Sequence, residues 1–291
     1  MLLLLSAIWG AAFYFIKISV SFHDPITVAS LRLIIAAIFL YIFFKFNNYK
    51  FEFNSKIIFL IFIIGLIGNF IPFFLISWAE QSIQSNTAGL LLSVAPIVAL
   101  ILSHFFTKED KFTYRKFFAI IMGLIGAIFI LDLDLKYFSN STLNNSDNFL
   151  PKIAVIISAF GYVISSILAF KIKNINIVSL TTFVTIFAAL ISLPFLIFYQ
   201  SNNFTLNSFN SFYPLLYLGL FPTAIAFLMR FYLISKAGPI FLSYVAYLIP
   251  VFAIIWGYIF LKETISFNIF LGVCFVLAGV YIGRQFNDIN N

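Results

Sequence analysis

Ten carboxylates, two histidines and one cysteine are scattered along 291 residues. Metal and acid–base chemistry need such groups in clusters. His23 and His104 stand too far apart for a metal site and read as interfacial or packing residues. Cys274 lies alone in an apolar run, so neither a disulfide nor a cysteine-based metal site is expected. No catalytic residue, metal or cofactor is therefore expected. The acids are Asp24, Glu52, Glu80, Glu109, Asp110, Asp132, Asp134, Asp147, Glu263 and Asp288. Only Glu80 falls on an apolar segment, and it sits at the segment's end. A proton-coupled pump for cationic compounds needs a carboxylate deep in such a segment, to neutralise its cargo and exchange it for a proton. None is there. Three cations do fall within apolar segments: Lys17, Arg32 and Arg230. Arg32 can pair with Glu80 as an outer gate or meet a ligand carboxylate. Lys17 and Arg230 read as snorkelling towards the membrane surface.

The segments that carry these residues dominate the chain. It is 63% hydrophobic and 9% charged, against about 45–50% and about 25% in soluble domains. With 41 phenylalanines, disorder is excluded as well. A helix of about 20 residues crosses the ~30 Å hydrocarbon core, and apolar runs divide the chain into ten such spans. They cover residues 2–21, 26–45, 57–79, 85–107, 115–131, 150–171, 177–199, 212–235, 239–261 and 267–284. The first lacks the basic start of a signal peptide and is followed by nine more. The expected fold class is all-α, a polytopic membrane protein with ten transmembrane helices.

The net charge of +7 would suggest a nucleic-acid partner on a soluble protein; here its position is what matters. With the N-terminus inside, eleven basic residues fall on cytoplasmic segments: Lys45, Lys50, Lys56, Lys108, Lys111, Arg115, Lys116, Lys171, Lys173, Lys236 and Arg284. Three fall outside: Lys136, Lys152 and Lys262. That bias predicts both termini in the cytoplasm, with the bilayer rather than a nucleic acid as the partner.

The two halves also match. Ala95-Pro96-Ile97-Val98 recurs as Ile249-Pro250-Val251-Phe252, Lys108-Glu109 as Lys262-Glu263, and Gly65-Leu66 as Gly219-Leu220, all 154 residues apart. Gly126 and Gly279 match at 153. Five spans per copy force the second copy to sit inverted in the bilayer, so residues 1–132 and 150–286 form two inverted five-helix repeats. Residues 133–149 are the outer polar linker. Inverted repeats suit secondary transporters, because exchanging the halves' conformations converts an inward-open state into an outward-open one. Pro96 and Pro250 each leave the carbonyl four residues earlier, on Leu92 or Ala246, without its helical donor. In lipid that carbonyl needs another donor or a wet cavity. The two prolines are candidate hinges, with simple kinks as the alternative.

These residues resemble the ten-helix EamA-type carriers of the drug/metabolite transporter superfamily. The resemblance rests on Trp9-Gly10-Ala11-Ala12-Phe13, Leu31-Arg32-Leu33, Trp78-Ala79, Ala88-Gly89-Leu90-Leu91-Leu92 and the paired Pro96 and Pro250. It is carried further by the paired Lys-Glu steps and by Gly123, Gly126, Gly272 and Gly279. It covers essentially the whole chain and is loose residue by residue. It implies an exporter or exchanger of small metabolites, often amino acids or related compounds, and it raises the weight of Arg32.

Helical phasing nominates the cavity. Asn69, Phe73, Ile76 and Glu80 share a line on the third span at ~100° per residue; Ser93 and Tyr247 correspond in the repeat, and Tyr162 lies on a polar face with Ser158 and Ser165. Trp9, Arg32, Asn69, Ser93, Tyr162 and Tyr247 are the candidate substrate contacts, with Glu80, Pro96 and Pro250 as gate or hinge. Helix packing is the alternative for each. The expectation is an alternating-access carrier for a neutral, zwitterionic or weakly anionic metabolite in a bacterial inner membrane, working as a monomer or homodimer. Alternatives are a multidrug efflux carrier of the same fold, or a structural or assembly protein using the GxxxG of Gly279 and Gly283.

Overall fold

The computed structural model describes residues 1–50, 54–108, 112–130, 149–172, 175–198, 209–261 and 267–283. The expected linker lies outside these, apart from residue 149, as do Glu109 and the Lys262-Glu263 pair. Among the described residues the chain is helical throughout. The first half contains α1 (Leu2–Phe22), α2 (Pro25–Phe46), α3 (Ser55–Gly65), a π-helical segment (Leu66–Phe70), α4 (Ile71–Ala79), α5 (Ser85–Leu92), α6 (Ala95–Phe106) and α7 (Tyr114–Ile130). The second contains α8 (Phe149–Lys171), α9 (Ile177–Phe198), α10 (Phe209–Gly219), another π-helical segment (Leu220–Ile225), α11 (Ala226–Ser243), α12 (Val245–Leu261) and α13 (Phe267–Gly283). The two π-helical segments begin 154 residues apart, at the spacing of the sequence matches.

Among the described residues, six stretches are long and apolar enough to cross a membrane: α1, α2, Ser55–Ala79, α8, α9 and Phe209–Ser243. Ala95–Phe106 and Phe270–Gly283 are shorter apolar helices. The exterior carries large apolar side chains such as Leu4, Tyr14, Phe59, Phe105 and Phe198, while small and hydroxyl residues such as Ala29, Ala36, Ser30, Thr182 and Thr185 are buried. That distribution suits lipid, where close approach of small residues drives helix association. Buried hydroxyls donate back to the carbonyl four residues earlier, as in Ser6 to Leu2, Ser158 to Ala154 and Thr181 to Ile177. Such bonds keep these hydroxyls from facing hydrocarbon unpaired.

The helical breaks depart from the expected spans. The span expected over 85–107 splits at Ser93-Val94 into α5 and α6. Pro96, which lacks an N–H, falls in the first turn of α6, where that donor would be unpaired anyway. Pro250 instead lies inside α12, and the matching discontinuity comes at Tyr244, before the helix starts. The boundary expected between 235 and 239 is a kink rather than a loop: Gly238 adopts φ 83°, ψ 168° within the continuous stretch of α11.

The halves interlock. α2 packs on α9, α7 on α13, α1 on α12 and α10, and α4 and α5 on α8. Between α7 and α13 the backbones nearly touch: a Cβ on Gly126 would lie 2.6 Å from the Gly272 carbonyl oxygen, and one on Gly279 would lie 2.7 Å from that of Ala119. Gly283 faces Tyr244, so both glycines of the GxxxG meet neighbours within this chain.

Candidate functional site

A cavity of about 860 Å³, open mouth included, lies where the halves meet. α1 contributes Trp9, Ala12, Phe13 and Ile16; α2 contributes Arg32; α4 contributes Phe73 and Ile76. Leu92 and Ala95 flank the α5–α6 break. The second half adds Tyr162, Val163 and Ser166 from α8, Phe227, Arg230, Pro239, Leu242 and Ser243 from α11, and Val245, Ala246 and Ile249 from α12.

The lining obeys the internal repeat. Trp9 and Val163, Ala12 and Ser166, Phe73 and Phe227, Ile76 and Arg230, Leu92 and Ala246, and Ala95 and Ile249 are each 154 residues apart. Leu92 and Ala246 are the two positions whose carbonyls the prolines deprive of a helical donor.

The second π-helical segment anchors two polar side chains. Widening the turn lets the Thr223 hydroxyl donate to the Leu218 carbonyl at 2.7 Å, and the same oxygen accepts from Arg32 Nε at 3.1 Å. The Pro222 carbonyl accepts from Trp9 Nε1 at 2.9 Å. The Arg32 guanidinium lies 3.6 Å from the centre of the Phe73 ring. π-turns recur at functional sites because they free backbone groups for other partners.

Arg230 corrects the sequence reading. It does not snorkel: it is 1% exposed and lines the cavity. Its Nη2 donates to Ser165 Oγ at 2.6 Å, Ser166 Oγ at 3.2 Å and the Tyr162 carbonyl at 3.2 Å. The helix carrying Arg230 breaks at Gly238, whose φ and ψ are non-helical; what holds the side chain inside the bundle is the set of acceptors on α8. Lys17 donates to the backbone carbonyls of Glu80 at 2.5 Å and Ile83 at 3.1 Å.

Of the six residues nominated from sequence, Trp9, Arg32 and Tyr162 line the cavity. Asn69 is fully buried in the first π-helical segment, its side-chain oxygen and nitrogen both unpartnered, and lies outside the lining. Ser93, in the α5–α6 break, and Tyr247, packed against Gly123, are also buried outside it. Arg32 and Glu80, expected as a gate, are not hydrogen-bonded to each other. Glu80 follows α4, and its Oε2 accepts from the Ser85 hydroxyl at 3.1 Å, while Arg32 turns to Thr223. Thr223 and Pro222 went unnoticed in the sequence; the Gly219-Leu220 match, two to four residues upstream, was the available signal. His23 contacts the Ser211 carbonyl at 3.0 Å, and His104 packs beside Phe105 and Phe112.

Known proteins share this architecture. The model of the EamA-like transporter family matches residues 1–132 and 149–283. An uncharacterized transporter of Archaeoglobus fulgidus is 30% identical over 276 residues, covering 94% of each chain. YoaV of Bacillus subtilis, an uncharacterized transporter, is 22% identical over 94% of this chain and 92% of its own. YedA of Escherichia coli, named an uncharacterized inner membrane transporter, is 26% identical over 89% and 81%. A crystal structure of a protein 15% identical superposes with a TM-score of 0.76 over 97% of this chain and 94% of that one.

Proposed function

This chain belongs to the EamA-like transporter family, and from that premise we propose an alternating-access carrier that exports or exchanges a small metabolite. The substrate class is an amino acid or related neutral, zwitterionic or weakly anionic compound. Residues 1–132 and 150–286 are its inverted five-helix repeats, ten spans in all, with 133–149 as the outer linker and both termini cytoplasmic. The membrane is the bacterial inner membrane, by analogy with YedA.

One observation carries this reading: six pairs of cavity residues stand at the repeat offset. A cavity on the axis relating two inverted copies can open to either face when the copies exchange conformations. The interlocking contacts support it. α1 packs on α10 and α12 as, in the other copy, α8 packs on α3 and α6, while α2–α9 and α7–α13 are the pairs that cross the axis. Trp9, Arg32 and Tyr162 contact the substrate; Asn69, Ser93 and Tyr247 shape the helices behind it. The α5–α6 break beside Pro96 and its counterpart before Pro250 are the hinges.

Purified protein in vesicles, loaded with a metabolite panel, tests the assignment. Saturable counterflow of an amino acid or related compound is expected. Movement of hydrophobic cations alone would favour a multidrug carrier, and linear, non-saturable flux would remove the carrier reading.

A further inference from the structure

The repeat explains most of the lining but neither arginine. Arg230 stands where the first copy has Ile76, and the position matching Arg32 is Ile186. The scaffold accepts isoleucine at both places, so packing does not require the charges. Each is expensive, because a charged side chain within a membrane-spanning segment is costly to bury.

Neither guanidinium is hydrogen-bonded to a carboxylate, although Glu80 lies near enough to Arg32 to act on its charge. Arg32 is 4% exposed and Arg230 1%. No carboxylate lines the cavity, and Glu80 is engaged with Ser85. Arg32 uses only Nε in hydrogen bonding, on Thr223, which leaves two terminal nitrogens for a ligand. Arg230 Nη1 is buried without a partner.

From these two guanidiniums in one apolar cavity, we infer that the substrate is a net organic anion: a carboxylate on an apolar, ring-sized body, without an ammonium group. The carboxylate completes the donors of Arg32 and screens Arg230, and bidentate pairing of guanidinium with carboxylate is the strongest such contact available. Phe13, Trp9 and Phe227 surround the apolar body. An ammonium group has no carboxylate to meet. Three of the lining rings already face a guanidinium: Arg32 lies over Phe73, and Arg230 lies 5.2 Å from Phe227 and 5.8 Å from Tyr162. This narrows the proposed substrate class and rests on the cavity being the transport site.

Four compounds with one phenyl body and different charge test the inference on full-length protein. They are 3-phenylpropionate (anion), phenylalanine (zwitterion), 3-phenylpropanamide (neutral) and phenethylamine (cation). Titration calorimetry in detergent is expected to rank 3-phenylpropionate at least ~10-fold above the others, the factor that about 1.4 kcal/mol represents, with phenethylamine showing no saturable binding. Arg32→Gln should remove that preference while leaving the amide unaffected. If the variant does not fold, the ranking on the natural protein decides alone. Equal affinity for the zwitterion, amide or amine, or no binding of any member, overturns the inference. Equal competition by chloride or phosphate overturns it too, by removing the apolar body. Counterflow in vesicles separates the two claims. Tight binding of the anion without counterflow upholds the charge selection and defeats the carrier, whereas counterflow of the amine alone does the reverse.

Discussion

Arg32 and Arg230 meet the same cavity from opposite halves, and they are held differently. Arg230 is fixed by a cluster on α8, with two hydroxyls and a carbonyl all accepting from one terminal nitrogen. Arg32 is tethered through Nε to Thr223 and lies flat on Phe73, with its terminal nitrogens uncommitted. One guanidinium is a built part of the bundle, and the other presents its donors to the cavity. The matching isoleucines, Ile76 and Ile186, show what the fold needs at these places. On the proposed carrier reading, the positions that match across the halves build the moving scaffold, and the departures from that match supply its chemistry.

The most severe way to break this comparison is to extend the charge to the symmetric site. Ile76→Arg adds a third cation with no acceptor waiting, and should cost about 3 kcal/mol, read as a lower thermal midpoint and poor yield in detergent. Next is the contrast between the arginines. Arg230→Met should destabilise by about 2 kcal/mol, because charged hydrogen bonds are lost. Arg32→Met should stay within about 1 kcal/mol of the natural protein, since replacing a poorly compensated buried charge with an apolar chain is often near neutral. Parallel thermal unfolding curves decide it, and equal losses would erase the distinction. Thr223→Val removes the acceptor of Arg32 Nε and the donor to Leu218, at about 1–1.5 kcal/mol. Anion affinity should fall several-fold with it. The smallest effect is expected of Trp9→Phe, which keeps the ring but leaves the Pro222 carbonyl without its donor, at about 1 kcal/mol or less. Its thermal midpoint should fall by only a few degrees, with ligand ranking unchanged.

The helices were largely legible because lipid demands long apolar runs. α2 was expected over 26–45 and covers Pro25–Phe46; α9 was expected over 177–199 and covers Ile177–Phe198. The cavity was legible where the helix is regular, as at Trp9 on α1, Arg32 on α2 and Tyr162 on α8. It failed where α geometry fails. Asn69 lies in a π-helical segment, whose wider turn shifts the helical phase away from Phe73 and Ile76. Ser93 lies in the α5–α6 break, and Tyr247 follows the discontinuity at Tyr244. A constant 100° step cannot carry a side chain's direction across such places. Arg230 was misread for a different reason: its acceptors, Ser165, Ser166 and the Tyr162 carbonyl, come from α8, and nothing in its own segment signals them.

Access to the cavity from both membrane faces tests the carrier account most directly. Cys274 is exposed, so it would first be replaced by serine and a single cysteine placed at Ala246, which lines the cavity and matches Leu92 in the repeat. Oriented vesicles would then be treated with a membrane-impermeant maleimide from one side or the other. The account predicts modification from either face, slowed on both by a bound transported compound. Modification from one face only, under every condition, would contradict it.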